Sequence, residues 1–139
     1  MQIIRCVLSG SYRRDFATLE RDYRELVAAG CQILSPHRLT FLDRSAEFVK
    51  DVAETPLDPH EIERHHLLAL RQSDLVWLHC PDGYVGVSAA MEVGYALALN
   101  VPIFSKLLPQ DPVFSQLVTV VPSVFMALES LRNNQLVSE

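Results

Sequence analysis

The stretch from Ser73 to Lys106, SDLVWLHCPDGYVGVSAAMEVGYALALNVPIFSK, constrains the fold of this chain more than any other. Leu75-Val76-Trp77-Leu78 is an apolar run of strand length without polar alternation, the pattern of a strand buried on both faces. Pro81-Asp82-Gly83 stops it, and a loop carries on to Gly86. From Ser88 the apolar residues Ala89, Ala90, Val93, Ala96 and Leu97 recur at helical spacing. Asn100 closes that helix, and Val101-Pro102-Ile103-Phe104 opens the next strand. A strand–loop–helix–strand unit of this kind belongs to a parallel sheet, whose ligands bind at the loops following the strands.

Between Gly83 and Ser105 the only charged side chain is Glu92. A surface helix ordinarily carries several charges on its wet face. Here a lone acid sits near the helix start, beside the loop where a ligand would lie, with Ala89 and Ala96 as its helical neighbours. With Ser88 as N-cap, the capping-box position falls on Met91, so Glu92 comes one residue too late to cap. Glu92 is therefore the first candidate for chemistry; the alternative is a solvated glutamate favoured by the helix dipole.

The chain of 139 residues, 49% of them hydrophobic, is long and apolar enough for one globular domain spanning residues 1–139. A net charge of −5 argues against a nucleic-acid partner, while leaving room for a small anionic ligand at a locally basic site. The apolar run at the N-terminus is short and broken by Arg5, so no signal peptide is read there, and no stretch reaches membrane-spanning length. Cys6, Cys31 and Cys80 lack CxxC spacing and lie in or beside expected strands, which points to packing in a reducing cytoplasm.

Ile3–Leu8 reads as the first strand, followed at once by Ser9-Gly10-Ser11-Tyr12-Arg13-Arg14 and a helix over Asp15–Ala29. Glycine, serines and arginines at a strand-to-helix turn make a candidate anion site, in which helix-start N–H groups and a two-donor arginine grip a phosphate or carboxylate. Neither the P-loop nor the GxGxxG pattern is present. Cys31–Leu34 is the second strand, and it delivers His37 and Arg38 to its C-terminal end, where His37 is a candidate cleft residue or a plain loop histidine. The segment Leu39–Pro59 has a weak pattern with one short helix at Ala46–Val52, the length of a lid or pocket wall. Asp58-Pro59 starts a helix to Gln72, Pro59 suiting its first turn. His60, His65 and His66 on it lack the i, i+4 spacing of a metal pair, so no metal is expected; His66 or a nearby acid faces the cleft. Lys106–Gln116 reads as a loop, Leu117–Val121 as the fifth strand, and Pro122 opens a last helix that Asn133-Asn134 ends. Five strands alternating with helices give a single-domain open α/β sheet with helices on both faces, in flavodoxin-like order 2-1-3-4-5.

Ser73-Asp74-Leu75-Val76, Gly86 to Ala96 and Pro102-Ile103 together resemble the nucleoside 2-deoxyribosyltransferase superfamily, which includes the nucleoside monophosphate N-glycosidases. The resemblance runs from Ile4 to about Val121. It implies that Glu92, in Glu92-Val93-Gly94-Tyr95-Ala96, is the catalytic nucleophile. It implies that Gly10-Ser11-Tyr12-Arg13, similar to the G-S-x-R form of the monophosphate hydrolases, contacts the sugar or its 5′-phosphate. Ser115 roughly matches a serine that reaches a neighbouring subunit's phosphate site. The chain departs from the family pattern where His66 replaces a pocket aspartate, where Ser88 replaces a glycine with Gly86 two residues earlier, and where the transferases' C-terminal aromatic residue is missing.

The resemblance implies cleavage or transfer of an N-glycosidic bond on a nucleoside or nucleoside 5′-monophosphate, with no cofactor. A carboxylate beneath the sugar stabilises an oxocarbenium-like transition state and forms a glycosyl ester, which water or a second base resolves. Burial raises the Glu92 pKa and the helix start lowers it; the expectation is an ionised carboxylate near neutral pH. His66, Asp82 and Tyr12 are the candidate proton donors to the leaving base, and Gly83, Gly86 and Ser88 complete the expected pocket. The alternative is a nucleotide-sensing module that keeps the pocket without turnover; a flavin mononucleotide carrier is weaker, lacking a Ser/Thr-rich phosphate loop. Sites built across subunits, with apolar Leu107, Leu108, Val113 and Phe114 in an otherwise wet loop, imply a homodimer or larger assembly.

Overall fold

The computed structural model describes residues 2–36 and 58–138; His37, Arg38 and the short helix expected at 46–52 lie outside the described residues. Five strands form one sheet: β1 (Arg5–Gly10), β2 (Gln32–Ser35), β3 (Leu75–His79), β4 (Ile103–Ser105) and β5 (Thr119–Val120). Their order is 2-1-3-4-5 and every pairing is parallel, the arrangement expected from the alternating pattern. The helices are α1 (Phe16–Ala28), α2 (Pro59–Gln72), α3 (Val87–Ala98), α4 (Phe114–Leu117) and α5 (Val124–Ser138). Among the described residues no helix is long and apolar enough to cross a membrane.

The two-residue period of the central strands divides the core. Cys6 and Leu8 of β1, with Leu75 and Trp77 of β3, pack beneath Leu19 and Leu26 of α1 and Val124, Ala127 and Leu128 of α5. Val7, Val76 and Leu78 point the other way, against Leu70 of α2 and Val93 and Ala96 of α3. The same alternation carries Ser9, two residues past Val7, to the α2/α3 side at the end of its strand. The three cysteines are free and buried, as packing residues of the two cores.

On the α1 side one buried polar cluster interrupts the apolar core. Asp22, 1% exposed, accepts from Trp77 Nε1 at 3.0 Å and from Lys106 Nζ at 2.5 Å. The charge is tolerated because both carboxylate oxygens are satisfied and the ammonium lies beside it. The tie joins α1 to the middle of β3 and to the residue that follows β4.

Several boundaries differ from the sequence reading. The fifth strand is only Thr119–Val120, because Leu117 belongs to α4 within the expected loop. Asp111 nucleates that turn: its Oδ1 accepts from the N–H groups of Val113 and Phe114, and its carbonyl accepts from Ser115. The last helix starts at Val124 rather than Pro122 and runs through Asn133 and Asn134. Neither asparagine takes the left-handed conformation that ends a helix, whereas Asn100, with φ 59°, does so after α3. The N-cap of α3 is Gly86, so Ser88 lies inside the first turn.

Gly10 fixes how the sheet meets the site. It lies opposite His79 with φ 116°, and a Cβ there would fall 1.9 Å from the His79 carbonyl oxygen. Only glycine fits this close approach of β1 to β3. The chain beyond it is held to β3 as well: Ser11 N–H donates to the His79 carbonyl at 3.2 Å, and His79 Nε2–H to the Arg14 carbonyl at 2.8 Å.

Candidate active site

A cavity of about 490 Å³ opens at the C-terminal ends of β1, β2 and β3, bounded by α2 and the start of α3. Its volume falls in the range of small-molecule sites. Of the residues singled out in the sequence, Gly10, Ser11, Tyr12, Arg13, His66, Gly86, Ser88 and Glu92 all line it.

Glu92 stands at its centre, 6% exposed, on the face of α3 that packs against the sheet. Ser9 Oγ–H donates to its Oε1 at 2.6 Å, and His66 Nε2 lies 3.0 Å from the same oxygen. A carboxylate only accepts, so Nε2 carries the proton. The other ring nitrogen, Nδ1, lies 2.6 Å from Ser35 Oγ at the end of β2. A relay of Ser35, His66 and Glu92 thus runs from β2 through α2 to α3, with Ser9 of β1 closing it. Burial alone would push the Glu92 pKa up, but the charge and hydrogen bond of His66 and the hydrogen bonds of Glu63 and Ser9 outweigh it and hold the carboxyl below its ordinary value. The expectation of an ionised carboxylate stands, with side chains rather than the helix start as the cause.

Glu63, one helical turn before His66 on α2, is the second acid in the cavity. Burial, together with the neighbouring Glu92 carboxylate, pushes its pKa up to about 9. Its Oε1 is buried and has no hydrogen-bond partner among the described residues. One proton therefore sits between two carboxyls, on Glu63, with Glu92 ionised.

The β1–α1 turn is arranged differently from the simple anion cradle expected. Asp15 caps α1, its side chain accepting from Thr18 N–H at 3.4 Å, and that bond holds the Asp15 carboxyl below its ordinary value. An anion thus meets a carboxylate, not free N–H groups, at the start of α1. The start of α3 is the open one: Gly86 makes no side-chain cap, and Gly86 and Ser88 line the same cavity as Arg13. Arg14 stacks its guanidinium over the Tyr84 ring, 3.5 Å from the centroid, bracing the rim.

Of the other candidates, Asp82 and Gly83 form a 3-10 turn outside the cavity lining, tied to Gln110 by Gln110 Nε2–H to the Asp82 carbonyl at 2.7 Å and Gln110 N–H to the Gly83 carbonyl at 2.9 Å. Tyr12 lines the cavity, but its hydroxyl donates to the Leu8 carbonyl at 2.5 Å. Ser115 lies on α4, donating to the Pro112 carbonyl, and is not among the lining residues. His37 lies outside the described residues. The sequence reading missed Ser9, Ser35 and Tyr84, and left Glu63 unnamed among the acids of α2. The four-residue spacing of Ile62, His66 and Leu70, all buried, was a legible sign that His66 faces inward.

Fold and site together define an α/β protein with a carboxylate-centred cavity at the C-terminal edge of a parallel sheet. No protein-family model matches the chain, and no curated protein matches it.

Because the folded protein keeps the Glu63 proton up to about pH 9 while an ordinary glutamate loses it near 4.5, this group's contribution to stability is full below pH 4.5 and is lost as the pH rises toward 9. Glu63→Gln removes that loss. Thermal unfolding across this range is expected to show the variant gaining steadily on the wild type with rising pH; a constant difference would rule out the raised pKa.

Proposed function

We propose that this protein cleaves or transfers the N-glycosidic bond of a nucleoside 5′-monophosphate, with Glu92 as the nucleophile. The observation that carries the reading is the buried, ionised Glu92, oriented by Ser9 and His66 at the centre of a cavity of ligand size. The resemblance of Glu92-Val93-Gly94-Tyr95-Ala96 to the motif of the nucleoside 2-deoxyribosyltransferase superfamily supports it. In this reading a Glu92 oxygen attacks C1′ from beneath the sugar as the bond to the base breaks, and water or a second base then displaces the ester. His66 and Ser9 hold the carboxylate so that little reorientation is needed when positive charge develops at the sugar. Glu92→Gln and Glu92→Ala are expected to lower base release by about 10⁴-fold or more. Base release from a panel of nucleosides and monophosphates is measured by chromatography, and near-wild-type turnover in either variant would refute the assignment. A wild type that binds a monophosphate without releasing base would instead be a nucleotide-sensing module.

The 5′-phosphate lies, in this proposal, between Arg13 and the start of α3. Arg13 supplies charge and two donors, and the first turn of α3 supplies uncapped N–H groups and the Ser88 hydroxyl. A charge-assisted contact of this kind is worth about 1.5–3 kcal/mol, or roughly one to two decades of affinity. Calorimetry on a nucleoside and its 5′-monophosphate should show the monophosphate favoured in the wild type and that preference lost in Arg13→Ala. Equal affinity of the wild type for both ligands would remove the phosphate from the proposal.

A second copy of the chain is the proposed partner. Leu107, Leu108 and Val113 are exposed, and the outer side of α3 adds Val87, at 91% exposure, and Met91 without a charge among them. Light scattering at micromolar concentration is expected to give a dimer or larger; a monomer would overturn this part.

A further inference from the structure

We propose that Glu63 is the acid that protonates the leaving base, the second carboxyl of a two-carboxylate mechanism whose nucleophile is Glu92. This proposal rests on the glycosyl-transfer reading above. Elimination begins the case. Tyr12 donates its proton to the Leu8 carbonyl, Asp82 lies outside the cavity, and His66 has one ring nitrogen on Ser35 and the other on Glu92. Each of these groups is engaged or misplaced, whereas Glu63 lines the cavity and has a buried oxygen with no partner among the described residues. A buried carboxyl oxygen without a partner is costly in a folded protein, and a ligand atom placed there relieves the cost.

The placing of Glu63 and Glu92 in one cavity adds a second reason. A sugar seated over Glu92 must enter between the two carboxyls, since retaining enzymes of this chemistry hold theirs about 5–5.5 Å apart. Entry parts the two acids, and the Glu63 proton needs an acceptor. The base attached to C1′ arrives together with the sugar, and its ring nitrogens and carbonyl oxygens are acceptors. Glu63, on the half-exposed edge of α2, has three side-chain torsions with which to follow it.

The steps balance. A Glu92 oxygen forms a bond to C1′, the C1′–N bond breaks with its electron pair going to the base, and the Glu63 proton passes to the base. Glu63 is then a carboxylate and Glu92 an ester. A water gives one proton to Glu63 while its oxygen bonds to C1′, and the ester C–O bond breaks with its pair returning to Glu92. Free base and sugar leave, and both carboxyls recover their starting states. The titratable and charged groups that share the cavity with Glu63 are Glu92 on α3, His66 on α2, Tyr12 and Arg13 on the β1–α1 turn, and Tyr84 on the loop before α3. Of the two acids, Glu92 sets the acid limb of the rate profile and Glu63 the alkaline limb, near pH 9.

The test compares bases that need a proton with bases that do not. Base release is followed for a purine 5′-monophosphate and its N7-methylated counterpart, and for uracil and 5-nitrouracil monophosphates. In the first turnover, before water resolves the ester, Glu63→Gln is expected to slow release of the ordinary base by about 10²–10⁴-fold, to leave release of the activated base near the wild-type rate, and to abolish the alkaline limb of kcat/KM. Glu63→Asp, which keeps an acid, should keep that limb. Equal losses on ordinary and activated bases, no loss on either, or an alkaline limb that survives in Glu63→Gln would overturn the proposal while leaving Glu92 in place. Should Glu63→Gln not fold, absence of the limb from Glu63→Asp overturns it. A wild type that releases no base from any of the four substrates would fail the glycosyl-transfer reading itself, and the proposal with it.

Discussion

A buried carboxylate is stable only where the protein replaces the water it has lost, and that requirement organises this site. The hydrogen bonds that Glu92 accepts among the described residues come from outside its own helix. Its partners come from β1, through Ser9, and from α2, through His66, which is itself tethered to β2 through Ser35. The sheet thus has to be assembled, and α2 seated, before the charge on α3 can be buried. The site is a product of the finished fold and of no local segment.

The sheet divides its labour between two faces. On the α1/α5 side the buried charge of Asp22 is matched by Lys106 and the Trp77 indole, so it braces the middle of β3 and the exit of β4. On the α2/α3 side two carboxyls share one proton, and one of their oxygens is unmatched among the described residues. The first arrangement is closed; the second leaves hydrogen-bonding capacity facing a cavity. That contrast, more than burial itself, separates a structural charge from one placed for chemistry.

Much of this was legible in the sequence. A strand buried on both faces announces itself as an unbroken apolar run, which is why β3 could be read directly, while β1 was read across Arg5 and the order of the sheet from the alternation of strands with helices. Glu92 stood out because an acid in an uncharged helix has few ordinary explanations. Ser9 and Ser35 did not, since a serine at a strand's end reads equally well as the first loop residue, and only the pairing of β1 with β2 and β3 shows which way it points. Glu63 was hidden among the charges of α2, where Glu61, Arg64 and His65 give the same local pattern and only the rotation of the helix against the sheet sorts them. The β1–α1 turn looked like an anion cradle because a sequence shows glycine, serines and arginines at a helix start and not that Asp15 already accepts the Thr18 N–H there.

Gly10 has a consequence for anyone who would redesign this protein. With the His79 carbonyl where a first side-chain carbon would go, that position admits one amino acid, and the turn beyond it inherits its course from that fact. Libraries aimed at new ligands gain nothing by varying it. Diversity belongs instead on the opposite rim, at Tyr84, Val87 and Ser88, where side chains border the cavity and the backbone at Val87 and Ser88 is ordinary helix. The molecule offers a fixed wall and an adjustable one, and the ligands open to it by redesign are those that can be told apart from the adjustable side.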